Sequence, residues 1–141
     1  MSASRRSRPH RLLVVDDAQS NRLLAERVLR KAGYTVVSAA SGDDALELIS
    51  LESEFDLFVL DVKMPGMSGT ELADRIRANK PDAKILYFTA YSGSLFATKN
   101  VLGENEAFLD KPATTVDLVE AVSLLLHGHL AGPGGPTNPA S

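Results

Sequence analysis

No cysteine occurs among the 141 residues, so disulfide frameworks, thiolate metal sites and cysteine nucleophiles are excluded. Long hydrophobic runs are missing too. No apolar stretch approaches the roughly 20 residues that cross a bilayer, and the basic residues near the N-terminus have no hydrophobic segment behind them of the kind a secretory signal carries. Strong charge of one sign is also absent: a formal net charge of -3 gives no global attraction to nucleic acid or to an anionic membrane. The expectation is a soluble, cytoplasmic protein that binds neither.

What is present fits one ordinary domain, long enough for a sizeable core without covalent staples. Residues 1–10 are rich in Ser and Arg, and residues 128–141 in Gly, Pro, Asn and Ser. Neither stretch has enough apolar surface to offset its ordering entropy, so both are expected to be disordered tails around a folded unit at 11–127. On this reading nothing after residue 127 is an effector domain.

Within the folded unit, short β-type runs alternate with helical patterns. Leu12 to Val15 reads as a strand, followed by a helix over Arg22 to Lys31 with Leu24, Val28 and Ala32 on its apolar face and Gly33 as its stop. Tyr34 to Ala40 is a second strand, and Ser41 with Asp44 starts a helix to Leu51. Phe55 to Leu60 is a third strand. After the Pro65-Gly66 turn, Ser68 and Glu71 form a capping box, with Met67 and Leu72 at the staple positions, for a helix ending near Asn79. Lys84 to Thr89 is a fourth strand, Gly93 to Leu102 a weakly periodic helix and Glu106 to Leu109 a fifth strand. The last helix is capped by Thr114 or Thr115 and carries Val116, Val119, Val122 and Leu126 on its apolar face. Five strands alternating with five helices imply right-handed parallel crossovers and a three-layer α/β sandwich.

In such sheets chemistry gathers at the carboxyl ends of the strands. Asp16 and Asp17 follow the first strand and Asp61 follows the third, where the Pro-Gly turn is expected to present Asp61 rather than bury it. Three carboxylates in one cleft repel and raise one another's pKa. A divalent cation relieves that repulsion, and an all-oxygen site suits Mg²⁺ better than Zn²⁺. Thr89 and Lys111 stand at the ends of the fourth and fifth strands. Taken singly, each of these five residues has an ordinary structural explanation, such as a helix cap, a strand position or a solvated charge. Together, on four consecutive sheet-end turns, they make an inventory for phosphoryl transfer, with Asp61 as nucleophile, Mg²⁺ and Lys111 neutralising charge, and Thr89 donating a hydrogen bond.

Leu13-Val-Val-Asp-Asp17, Val59-Leu-Asp-Val-Lys-Met-Pro-Gly-Met-Ser-Gly69, Tyr87-Phe-Thr-Ala90 and Leu109-Asp-Lys-Pro112 resemble the receiver domain of two-component response regulators, over about residues 11 to 127. The resemblance implies a flavodoxin-like, doubly wound five-stranded parallel sheet of order 2-1-3-4-5 with five helices. It makes Asp61 the phosphoacceptor, not an enzyme's catalytic centre. Asp17 and Asp61 would ligate Mg²⁺ directly, Asp16 through water, and the main-chain carbonyl of Lys63 would complete the protein ligands. The implied donor is a phosphohistidine on a sensor histidine kinase or phosphotransfer protein. Thr89 would be the switch hydroxyl, drawn inward on phosphorylation, and Phe108 the switch aromatic, moving by packing alone because it lacks a hydroxyl. The face around the helix at 93–102, the fifth strand and the last helix would then be remodelled for an unidentified partner. Lys63 and Tyr91, two residues after Asp61 and Thr89, are long or bulky enough to overhang an acyl phosphate and slow its hydrolysis.

Three other readings fit less well. A flavin-phosphate protein needs Ser, Thr and Gly amides after the first strand, where Asp16 and Asp17 would repel the phosphate. A haloacid-dehalogenase-type phosphatase needs an acid two residues after its nucleophile, and Lys63 stands there. A degenerate receiver serving only as a scaffold would not need the complete acid set.

Overall fold

The apolar runs form five strands: β1 (Arg11–Val15), β2 (Thr35–Ala39), β3 (Leu57–Leu60), β4 (Ile85–Thr89) and β5 (Glu106–Asp110). They are seen in a computed structural model that describes residues 9–51, 54–90, 105–111 and 115–128. All four pairings are parallel and the sheet order is 2-1-3-4-5, as expected. Each residue of β3 is buried, which is why that segment can be apolar without alternation.

The helices are α1 (Gln19–Lys31), α2 (Gly42–Leu51), α3 (Gly69–Asn79) and α4 (Thr115–His127), four among the described residues. The fifth expected helix, within 93–102, lies outside those residues, as do Tyr91, Thr114 and most of both tails. The expected start of α3 is present in full: Ser68 Oγ accepts from the Glu71 N–H at 3.2 Å, and the Ser68 N–H donates to Glu71 Oε1 at 3.0 Å. Likewise Ser41 Oγ accepts from the Asp44 N–H at the start of α2.

Alternate strand residues feed two apolar layers. Leu13, Val15, Phe58, Leu60, Ile85 and Tyr87 pack under α2 and α3, while Leu12, Val14, Val36, Leu57, Val59 and Leu86 pack under α1 and α4. One tie between elements has no signature in the sequence. Arg77 of α3 is paired with the buried Glu106 of β5, donates to the Ala83 carbonyl at 2.9 Å, and shares Glu106 with the Tyr87 hydroxyl.

The structure corrects the outer helices. Helix α1 starts three residues before Arg22, because Asp16 Oδ1 accepts from the Ala18 N–H and sets the turn that launches it. Its buried residues are Ala25, Glu26 and Leu29, whereas Leu24 is 55% exposed. Small Ala25 lets the helix approach β1, and the bulkier Leu24 is left on its flank. In α4, Val122 is buried as expected and Val119 and Leu126 are partly so, but Val116 is 60% exposed and Leu118 takes its place in the core. No helix among the described residues is long and apolar enough to cross a membrane.

Candidate functional site

Val15 of β1 pairs with Leu60 of β3, and the Asp61 N–H donates to the Val15 carbonyl at 2.9 Å. The residues that follow the two strands therefore share one corner of the sheet edge. A carboxylate oxygen from each of Asp16, Asp17 and Asp61 lies within 4.8 Å of the other two. This is the convergence expected if those strands were neighbours.

The three acids are held differently. Asp17 is exposed at the mouth of the cleft. Asp16 is buried and fully engaged: Oδ1 accepts from Ala18, Oδ2 is ion-paired with Lys111 Nζ, and its carbonyl accepts from Arg22 Nη1 at 2.8 Å. Asp61, expected to be presented, is instead 7% exposed. The loop after it folds back tightly. Pro65 leads into Gly66 at φ 76°, the left-handed conformation that favours glycine in such a turn, and the Gly69 N–H then closes on the Val62 carbonyl at 2.8 Å. A Cβ on Gly69 would lie 2.0 Å from the Asp61 carbonyl oxygen, so that glycine is what allows α3 to begin against the end of β3.

Lys111 and Thr89 close the cleft from the other side. Lys111 Nζ is 3.9 Å from Asp61 Oδ2, and the Lys111 N–H donates to the Thr89 carbonyl at 2.9 Å. Thr89 is fully buried at the end of β4. Burial pushes the Asp61 carboxyl above the usual carboxylate range. Lys111 opposes that rise, Asp16 adds to it, the Thr89 hydroxyl opposes it, and Asp17 adds a smaller push upward.

Asp61 Oδ1 is buried without a hydrogen-bond partner. An orphaned anionic oxygen beside two more carboxylates, with oxygen donors only, fits a hard divalent cation of the Mg²⁺ class. The cleft, about 350 Å³, is bordered by Asp17, Asp61, Lys63, Lys111, Ala18, Asn21 and Ala90. Lys63 is exposed on that border. Phe108 is not in the cleft: it lies on β5 in register with Tyr87, half-buried against the α2–α3 layer. Sequence reasoning missed Asn21, Ala18 and Arg22. The one available signal was their place in the first turn of a helix that follows an acid pair.

A family model of the response regulator receiver domain matches residues 12–123. The chain is 36% identical over 116 residues to the sensor kinase CckA of Brucella abortus, covering 82% of this chain and 12% of that one. It is 32% identical over 116 residues to the response regulator receiver protein CpdR of the same organism, covering 82% and 96%. The chain spans 12% to 64% of the length of the first three curated relatives it matches. Among solved structures, the response regulator protein TrrA of Thermotoga maritima, in complex with Mg(2+)-BeF, superposes with a TM-score of 0.74 at 37% identity over 83% of this chain and 99% of that one.

Proposed function

The chain belongs to the response regulator receiver domain family, in which phosphorylation of an aspartate and Mg²⁺ binding are general features, and on that premise we propose that Asp61 is its phosphoacceptor. The observation that carries the reading is the buried, unpartnered Asp61 Oδ1 with Asp16 and Asp17 oxygens within 4.8 Å and Lys111 Nζ 3.9 Å from its other oxygen.

In this reading Asp61 attacks the phosphorus of a phosphohistidine. The new O–P bond forms as the P–N bond breaks, and the electron pair returns to the imidazole, which takes up a proton. Lys111 balances charge on the phosphoryl oxygens and Thr89 passes its hydrogen bond from the carboxylate to one of them. Mg²⁺, when bound, neutralises phosphoryl charge. Asp17 and Asp61 would hold it directly, with the Lys63 main-chain carbonyl, and Asp16, whose oxygens are already engaged, would hold it through water. Receiver domains interact with histidine kinases or phosphotransfer proteins, and one of these is the donor we assign. TrrA in complex with Mg(2+)-BeF supports testing the site with the same reagents.

On phosphorylation Thr89 is drawn inward and opens room for Phe108, and the face around residues 93–102, β5 and α4 would then dock an unidentified protein. The reading includes a fifth helix within 93–102, a receiver unit at 11–127 between tails at 1–10 and 128–141, and a cytoplasmic location. It also includes no catalysis beyond self-phosphorylation and a slow self-dephosphorylation tuned by Lys63 and Tyr91. The test is incubation with Mg²⁺ and a small phosphodonor or beryllofluoride, followed by mass and spectra. A wild-type adduct absent from Asp61→Asn supports the reading. No adduct in wild type, or one that persists in Asp61→Asn, overturns it. An unchanged decay rate in Lys63→Asn with Tyr91→Ala removes the tuning role alone.

A further inference from the structure

The end of the sheet opposite the acidic cleft brings two histidines together. The chain has three, at 10, 127 and 129, and the last of them lies outside the described residues. His10 stands just before β1, and its carbonyl accepts from the Thr35 N–H at 2.9 Å, which fixes it beside the start of β2. Alternation along the chain places its side chain on the face of Leu12, the face covered by α1 and α4. Helix α4 runs back across that face from the carboxyl end of β5, so its last residue, His127, arrives at the amino ends of the strands. There the two imidazoles meet, with ring centres 5.2 Å apart and planes at 72°. Tyr34 backs His10, its ring centre 6.5 Å away.

That spacing has a chemical meaning. Two imidazoles on one tetrahedral ion, each bonded through nitrogen at about 2.0–2.1 Å, hold their ring centres about 5 Å apart. The rings are far from face-to-face stacking, so rotation about their side-chain bonds can turn one nitrogen of each towards a shared point. His10 is half-buried and His127 exposed, which leaves the pair open to an ion from solution. The end of α4 favours positive charge as well: Gly128, at φ 78°, donates its N–H to the Leu124 carbonyl at 2.8 Å, and the other carbonyls of the last turn carry the negative end of the helix dipole. Imidazole nitrogen selects ions of the zinc class, whereas Mg²⁺ prefers oxygen. Among the described residues no carboxylate makes a third ligand here, so water fills the remaining positions and the ion is exchangeable.

We propose that His10 and His127 form a binding site for a divalent transition-metal ion of the Zn²⁺ class, which clips the start of β1 to the end of α4. The site does not depend on the assignment of Asp61. The test is titration of the full chain with Zn²⁺, with Mg²⁺ in excess to compete for the acidic cleft, in a buffer above neutral pH because imidazole ligates as the free base. Calorimetry and the histidine ring signals in NMR read the binding, and circular dichroism checks each variant's fold. One ion per chain is expected in wild type and in Asp61→Asn alike, with the His10 and His127 signals moving together. His10→Ala and His127→Ala should each weaken binding by about tenfold or more, and Zn²⁺ should raise the unfolding temperature of wild type but of neither variant. If an alanine variant fails to fold, His10→Gln and His127→Gln decide the matter. Absence of Zn²⁺ binding in wild type overturns the proposal, as does binding that Asp61→Asn removes. So does binding that survives in His10→Ala but is lost in His127→Ala and His129→Ala, which would place the ion on the end of the chain alone.

Discussion

The cleft at the ends of β1, β3 and β4 and the groove between α1 and α4 are opposite departures from a well-balanced fold. In the cleft, Asp16 and Asp61 are almost fully buried, and among the described residues Lys111 is the cation paired with both carboxylates. In the groove, Leu24 and Val116 are more than half exposed, although the core beneath has room for Ala25 and Leu118. One region keeps charge away from water and the other keeps apolar surface in it. Each raises the free energy of the isolated chain, and each cost disappears with a particular partner: a cation or phosphoryl group in the cleft, an apolar surface in the groove. Local inconsistency of this sort concentrates at functional sites, because a sequence optimised for folding alone would remove it. The difference lies in rigidity. Strand ends, a capping box and Gly69 fix the cleft, whereas the groove is only the gap between two helix flanks.

That contrast predicts how each region responds to damage. The largest expected effect is at Lys111. Replacing it with Met leaves Asp16 Oδ2 buried without its cation, and breaking a buried pair from one side costs about 3–5 kcal/mol. Thermal or urea unfolding of the metal-free variant should show that loss, and Mg²⁺ should restore part of it, since a ligand at about 100 times its dissociation constant adds about 2.7 kcal/mol. A variant as stable as wild type without metal would mean the cleft's charges are better solvated than their burial indicates.

A smaller effect is expected from Asp61 itself. Burial raises its pKa in the fold above the unfolded value, so the folded chain binds the extra proton between the two values. The associated stability is fully present below the unfolded pKa and is lost as pH rises through the folded one. At neutral pH the ionised carboxylate is therefore a net cost in the metal-free chain, and Asp61→Asn should unfold later by an amount of order 1 kcal/mol. The advantage should shrink as the medium is acidified and vanish or reverse with saturating Mg²⁺. Parallel melts of the two proteins across pH, with chelator and with metal, check the sign.

The same contrast explains what could be read from the chain. The strands, the Ser68 capping box and the five residues of the cleft were legible because each has a local signature: an apolar run, a cap spacing, a polar residue at or just past a strand's end; the strand order came from the family resemblance. The burial of Asp61 was not, because it depends on Gly69 packing against the Asp61 carbonyl and on Lys111, 50 residues on, reaching across the sheet edge. The Arg77–Glu106 pair escaped for the same reason: Arg77 lies on an outer helix and Glu106 opens a strand, and only the fold joins them. Periodicity identified apolar stripes on the two outer helices but could not say which stripe meets the sheet. In α1 two apolar stripes lie side by side, through Leu24 and Val28 and through Ala25 and Leu29, and the close approach to β1 selects the one with the smaller residue.

The smallest expected effect tests the groove. Burying a leucine fully stabilises by about 1.5–3 kcal/mol, but Leu24 keeps 55% of its surface in water and contacts the flank of the fold, not its centre. In the monomer Leu24→Gln should therefore cost about 0.5 kcal/mol or less, in the range of ordinary surface substitutions. Unfolding of dilute wild type and Leu24→Gln checks this, and the two curves should nearly coincide. A larger difference would instead place Leu24 in the monomer's own core, and the groove would then be a packing detail and not an exposed apolar surface.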